Sequence, residues 1–134
     1  MARRRQARRL AVDILYQADL LGRDPVQVLE ERKGLGEKIP GFTAELVLGV
    51  AERLEALDEL LGDHAEGWTV QRMAGVDRTL LRLACYEMLY REDVSVAVAI
   101  SEAVAAAKSL STEDSGRFVN GILGRIARER AEAG

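Results

Sequence analysis

Cysteine and histidine each occur once in this chain and proline twice, and aromatic residues make up only 4% of it. A single cysteine excludes a disulfide within the chain. Its setting in Leu80-Leu81-Arg82-Leu83-Ala84-Cys85-Tyr86 predicts a buried free thiol, which suits a reducing cytoplasm. A single histidine leaves no cluster with metal-ligand spacing and no Ser/His/Asp set, so neither a catalytic centre nor a metal or cofactor is expected. His64 itself, in Gly62-Asp63-His64-Ala65-Glu66-Gly67, reads as a solvated loop side chain. Gly34-Leu35-Gly36-Glu37-Lys38 lacks the preceding strand and the spacing of a phosphate loop and reads as a linker. The apolar runs fall short of the eighteen or so residues of a membrane span. Asp13 and Asp19 interrupt the stretch that would have to follow a basic export leader.

What the chain does have is a charge asymmetry. Met1 to Arg9 carry five arginines (Arg3, Arg4, Arg5, Arg8 and Arg9) and no acid. Taking those five from the 19 cations leaves 14 against 22 acids, so a +5 end sits on a body of −8 that the net charge of −3 conceals. A localised positive end points to a polyanionic partner, and the acidic body leaves room for a second, basic one.

The hydrophobic pattern is helical throughout. Ala7, Leu10, Ala11, Ile14, Ala18 and Leu21 predict a first helix over Arg3 to Leu21. Asp24-Pro25-Val26-Gln27 reads as the capped start of a short second helix ending near Lys33, followed by a glycine-rich loop through Gly41. A third helix, capped at or near Thr43, carries the stripe Leu46, Val50, Leu54, Leu57 and Leu61 and stops at Gly62. After one turn at Trp68 to Arg72, Gly75 opens a helix to Tyr90 that is apolar on most sides, as expected of a central element. Val94, Val96, Val98 and Ile100 alternate like a strand, but nothing exists to pair with one, and Ile100, Ala103, Val104, Ala107 and Leu110 restore the helical period. The last helix runs from about Ser115 to Ala131, capped by Asp114 and Ser115, with Gly121 marking a close approach of another helix. Residues 1–134 are therefore expected to form a single all-α domain of about seven helices.

On a helical wheel Arg5, Arg9 and Tyr16 fall in one sector, with Arg8 and Val12 beside them. Guanidinium groups neutralise phosphates, and a ring on the same face offers a platform for an unpaired base, so the face suits single-stranded RNA. The plainer alternative makes the arginines a solvated helix end and Tyr16 a core-edge residue. Arg117 extends the basic surface if the two helix ends meet.

The chain resembles the NusB family of transcription antitermination factors along nearly its whole length. The resemblance is carried by Arg3-Arg4-Arg5-Gln6-Ala7-Arg8 with Leu15-Tyr16-Gln17, by Val76-Asp77-Arg78-Thr79-Leu80-Leu81-Arg82-Leu83-Ala84 with Tyr86-Glu87-Met88, by Ile100-Ser101-Glu102-Ala103-Val104 leading to Ala107-Lys108, and by Asp114-Ser115 through Phe118-Val119-Asn120-Gly121-Ile122-Leu123. Ser101 departs from the family's frequent asparagine. The resemblance implies two small packed helical bundles and no catalysis. It implies binding to the boxA element of ribosomal RNA operon transcripts together with the ribosomal protein NusE, within an antiterminating RNA polymerase complex. It places RNA contacts at the arginine-rich amino terminus, and puts Tyr16, Asp77 and the Asp114 to Phe118 loop near the joined RNA and NusE surfaces. Family members differ in whether they form homodimers.

The resulting expectation is a cytoplasmic, non-enzymatic adaptor. Arg3, Arg4, Arg5, Arg8 and Arg9 hold phosphates, while Tyr16, Arg117 and Phe118 select unpaired bases. The basic partner docks on Tyr16, Asp77, Glu87 and Asp114. Two rivals remain: an RNA-binding module of an rRNA cytosine methyltransferase-type system, and a small DNA-binding regulator.

Overall fold

The computed structural model describes residues 2–133, with side chains described for residues 3–131. They form seven α-helices, α1 (Ala2–Leu21), α2 (Pro25–Gly34), α3 (Gly41–Glu52), α4 (Leu54–His64), α5 (Gly75–Tyr90), α6 (Val96–Leu110) and α7 (Glu113–Ala133), with a 3-10 turn at Val70–Arg72 and no strand among the described residues. Helices α1 to α3 pack as one bundle and α4 to α7 as a second, and α5 joins them by contacting α1 and α3 as well as α4, α6 and α7. One continuous core runs through both. Ile14, Leu29, Leu46, Leu57, Leu61, Leu81, Ile122, Leu123 and Ile126 are its fully buried large side chains. Truncating any of the leucines to alanine is expected to cost about 2–5 kcal/mol. Helix α6 instead buries Ala99, Ala103, Ala106 and Ala107, and such small side chains let α5 and α7 lie close on either side.

The second helix starts as its sequence specifies: Asp24 accepts a hydrogen bond from the Val26 N–H at 3.0 Å, with Pro25 in the first helical position. Ser95 caps α6 in the same way through the Val98 N–H, so the valine alternation there is the start of a helix. Cys85 is a buried free thiol that burial pushes up to about 12.

Several expectations fail for reasons that lie in tertiary contacts. The helix foreseen from Thr43 to Gly62 is two, interrupted at Arg53, and the second continues past Gly62 to His64. No glycine or proline marks that break; Arg53 leaves helical geometry at φ −115° and ψ 18°, and its guanidinium lies 4.3 Å from the centre of the Tyr90 ring. Thr43 caps nothing: it is fully buried and donates its hydroxyl to the Ala7 carbonyl at 2.8 Å, tying α3 to α1. The start of α7 is held by Thr112, whose Oγ1 accepts from the Ser115 N–H at 3.0 Å, while Asp114 lies inside the first turn. Gly121 meets no neighbouring helix: what lies nearest to where a Cβ would stand is the guanidinium of Arg125, on the same helix, at 3.8 Å. The close approaches occur at Gly49, under the Tyr86 ring, at Gly75, against the Tyr16 ring, and at Gly116, under the Lys108 stem.

Candidate nucleic-acid interface

Helix α1 lays its arginine end along α6 and the turn before it. Arg4 reaches Asp93 at 2.6 Å, and Arg5 grips Glu102 with two nitrogens, at 3.1 and 2.6 Å. Arg9 touches only a hydroxyl, that of Ser109, at 3.5 Å. Arg3 is exposed. Phe42 anchors the group from below: Arg4, Arg91 and Arg8 lie over its ring at 4.2, 5.1 and 5.3 Å from the centroid. The acids respond to this company. Hydrogen bonds from Arg91 and then Arg4 hold the Asp93 carboxyl well below the usual carboxylate range, and the hydrogen bond from Arg5 lowers Glu102.

Arg8 is different in kind. It is 8% exposed and donates to both oxygens of Glu87, itself 2% exposed, at 3.0 Å each. This is a buried ion pair between α1 and α5. Two expectations are corrected by it: Arg8 is not free to meet phosphate, and Glu87 is sealed away from any docking partner. A helical wheel shows which sector Arg8 occupies and not which neighbour covers that sector, and an acid such as Glu87 shows its charge in the sequence but not its burial.

Tyr16, in the same sector as Arg5 and Arg9, is half-buried, and its ring lies against the first residue of α5. A Cβ at Gly75 would come within 2.8 Å of that ring, so glycine is what lets the tyrosine lie there. Two residues on, Asp77 is 7% exposed, and its Oδ1 has no hydrogen-bond partner. Burial raises its carboxyl above the ordinary range, and a hydrogen bond from Ser115 works in the opposite direction. Tyr16, Gly75, Asp77 and Ser115 thus bring the middle of α1 and the starts of α5 and α7 together. The acid expected at the rim is largely covered, with an oxygen unsatisfied.

The α6–α7 turn completes the surface. Arg117 does not touch the α1 arginines; it is exposed and pairs with Asp114 one turn earlier. The link between the two ends is α6 itself, from Glu102 on Arg5 to Ser109 on Arg9 and then the turn at Ser111. Phe118 is half-buried edge-on against Trp68, with centroids 6.1 Å apart and planes at 68°. Trp68 was legible only as part of a turn, because it stands in a short irregular connection with no periodicity to mark its exposure. Asp93, Glu102 and Phe42 escaped notice because their roles depend on contacts far apart in the chain. His64, expected to be solvated, ends α4 with Nδ1 2.9 Å from the Leu60 carbonyl and pairs with Glu129. No group of three or more metal-ligating side chains is present among the described residues.

The arrangement is a cationic ridge with aromatic groups at its far end, suited to phosphates followed by bases. Comparison with known proteins identifies the family. The model of the NusB family matches residues 5–128. The chain is 52% identical over 134 residues to the transcription antitermination protein NusB of Salinispora tropica, covering 95% of this chain and 96% of that one. It is 55% identical over 130 residues to the NusB of Saccharopolyspora erythraea, covering 95% and 88%. A crystal structure of antitermination factors NusB and NusE in complex with dsRNA superimposes with a TM-score of 0.83 at 26% identity, over 96% of this chain and 98% of that one.

Proposed function

The chain belongs to the NusB family, and from that premise we propose that it works as a transcription antitermination factor, an RNA-binding adaptor without catalytic activity. It binds the boxA element of ribosomal RNA operon transcripts together with NusE, and the joint complex helps RNA polymerase read through terminators. The observation that carries this reading is the row of α1 arginines continued by α6 to Arg117 and Phe118. Arg3, Arg4, Arg5 and Arg9 supply phosphate affinity, with Arg4 and Arg5 leaving Asp93 and Glu102 to do so. Tyr16, Arg117 and Phe118 meet bases, and NusE docks where Tyr16, Asp77 and Asp114 converge. Because the RNA and NusE act on one protein, each tightens the other by the same factor. No helix among the described residues is long and apolar enough to cross a membrane, and action on a nascent transcript supports a cytoplasmic location.

The rival readings have less behind them. The matched relatives are named for antitermination and are spanned over nearly their whole length, which lends nothing to a methyltransferase-type system. A duplex-DNA reader would project a recognition helix, whereas here the basic residues lie pinned along α6.

Fluorescence anisotropy of labelled boxA RNA over a salt series tests the proposal. Replacing Arg3, Arg4 and Arg5 with alanine is expected to weaken binding roughly tenfold or more near 0.1 M salt and to reduce the slope of log affinity on log salt by about 0.7 per lost phosphate contact. An unchanged slope would remove the arginines from the site. Adding NusE should tighten boxA RNA and leave a scrambled RNA behind.

A further inference from the structure

Four of the six aromatic rings in this protein pack against a cation, the face of another ring or the backbone. Phe42 lies under three guanidinium groups, Tyr86 and Tyr90 stack on each other beneath Arg53, and Tyr16 lies on Gly75. The other two, Phe118 and Trp68, meet edge to face, and of this pair Trp68 is the exposed one. It is 52% exposed, touches one ring only along an edge, and has no cation over it among the described residues. Its exposure does not come from a loose loop. Gly67 turns the chain at φ +76°, where a side chain would strain the backbone, and the Trp68 N–H donates to the Ala65 carbonyl at 3.0 Å. Beyond it Val70 and Met73 are buried, and Arg78 donates to the carbonyls of Val70 and Met73 at 3.0 and 2.9 Å while also holding Asp19. From the other side Arg125 donates to the His64 carbonyl at 2.8 Å. A large apolar ring is thus held at the surface by a connection pinned at both ends.

We propose that Trp68 is a stacking platform for an unpaired base of the bound RNA, carrying the RNA path beyond Phe118 onto the connection between α4 and α5. This rests on the RNA reading above. Phe118, the neighbour of Arg117, touches Trp68 directly, so the indole is continuous with the proposed surface. Exposed cations stand near it along the chain: Arg117 immediately precedes Phe118 on α7, and Arg72 lies four residues along in the connection. An indole beside cations accepts any base through its π face while the guanidinium groups take the phosphates, and such a ring requires an unstacked base. A duplex, whose bases remain stacked inside it, gains nothing from the indole.

The chain contains one tryptophan, so its fluorescence reports on this position alone. Titrating the full chain with single-stranded boxA RNA, while following labelled-RNA anisotropy and tryptophan emission in parallel, should give quenching that saturates with the binding curve. Trp68→Ala is expected to weaken single-stranded RNA about tenfold, Trp68→Phe to retain most of the affinity, and duplex RNA of the same sequence to be indifferent to either change. Far-ultraviolet melting checks that the alanine variant is folded. RNA binding with unchanged emission and an unchanged Trp68→Ala affinity would overturn the stacking role and leave the RNA reading intact. Emission that responds only when NusE is added would assign the indole to a protein contact and overturn it too. Absence of RNA binding by the unaltered protein would defeat both.

Discussion

Along α1, Arg4, Arg5 and Arg8 are each met by an acid of the same chain, at Asp93, Glu102 and Glu87, whereas at the start of α7 Arg117 pairs only with its neighbour Asp114 and an indole stands half-exposed on Phe118. The first region concentrates charge and the second presents it. Charge counting favours the first, because arginines are conspicuous in a sequence and their partners are not. Availability favours the second. A phosphate approaching α1 must displace Asp93 or Glu102, so part of what it gains there is offset by ion pairs already formed. At the α6–α7 turn an incoming base displaces little more than water.

The sharpest way to break this comparison is at its most buried point. If Arg8 belongs to the fold and not to the RNA site, Arg8→Ala should destabilise the protein by about 3–5 kcal/mol by leaving Glu87 charged and unpaired in the core. Replacing Arg8 and Glu87 together, with methionine and leucine, should restore much of that loss. Urea denaturation measures both variants. A fully stable Arg8→Ala protein that has lost RNA binding would return Arg8 to the phosphate-binding row.

A smaller effect is expected where the two regions meet. Asp77 has its carboxyl raised above its unfolded value of about 3.8. A raised carboxyl favours the folded state below the unfolded pKa, and that contribution is lost as pH rises through the folded value, so at neutral pH the charge of Asp77 costs stability. Asp77→Asn should therefore stabilise the protein by about 1 kcal/mol at pH 7, with the gain shrinking as pH falls through the raised folded value and gone by the unfolded value of about 3.8. Thermal melting across that range measures it. If Asp77 also accepts a donor from NusE, the more stable variant will bind NusE less well. Stability and NusE affinity rising together would remove Asp77 from the interface.

The same contrast explains how much of the molecule was legible in its sequence. Helices α1, α2 and α5 could be read nearly to the residue because local signals set them: the 3.6 period, the Asp24 cap with Pro25, the glycine opening α5. The break at Arg53 could not, since no glycine or proline marks it and the ring that its guanidinium meets is 37 positions away in the chain. Of the candidate site, the arginine sector and the Arg117-Phe118 loop were legible as residue types. Which arginines are already occupied was not, because Glu87, Asp93 and Glu102 become partners only when α5 and α6 close on α1. Trp68 was hidden for a related reason: exposure of an apolar ring shows only after everything else has packed.

The mildest expected effect tests the comparison most directly. Glu102 is lowered below its ordinary value of 4.5, chiefly by the hydrogen bond from Arg5. A lowered carboxyl contributes stability above the unfolded pKa and loses it as pH falls through the folded value, so the Arg5 clasp is complete at neutral pH and opens only in acid below about 4.5. Glu102→Gln removes the competing charge while leaving Arg5 in place. Because the Arg5 side chain is largely exposed, the pair is weak, and its loss should tighten single-stranded RNA by only roughly two- to fivefold at pH 7. The gain should vanish when Arg5 is alanine. Anisotropy titrations of the single and double variants decide the matter: if Glu102→Gln leaves affinity unchanged or weaker, Glu102 positions Arg5 for phosphate and does not compete for it, and the arginine end is as ready for RNA as the α6–α7 turn.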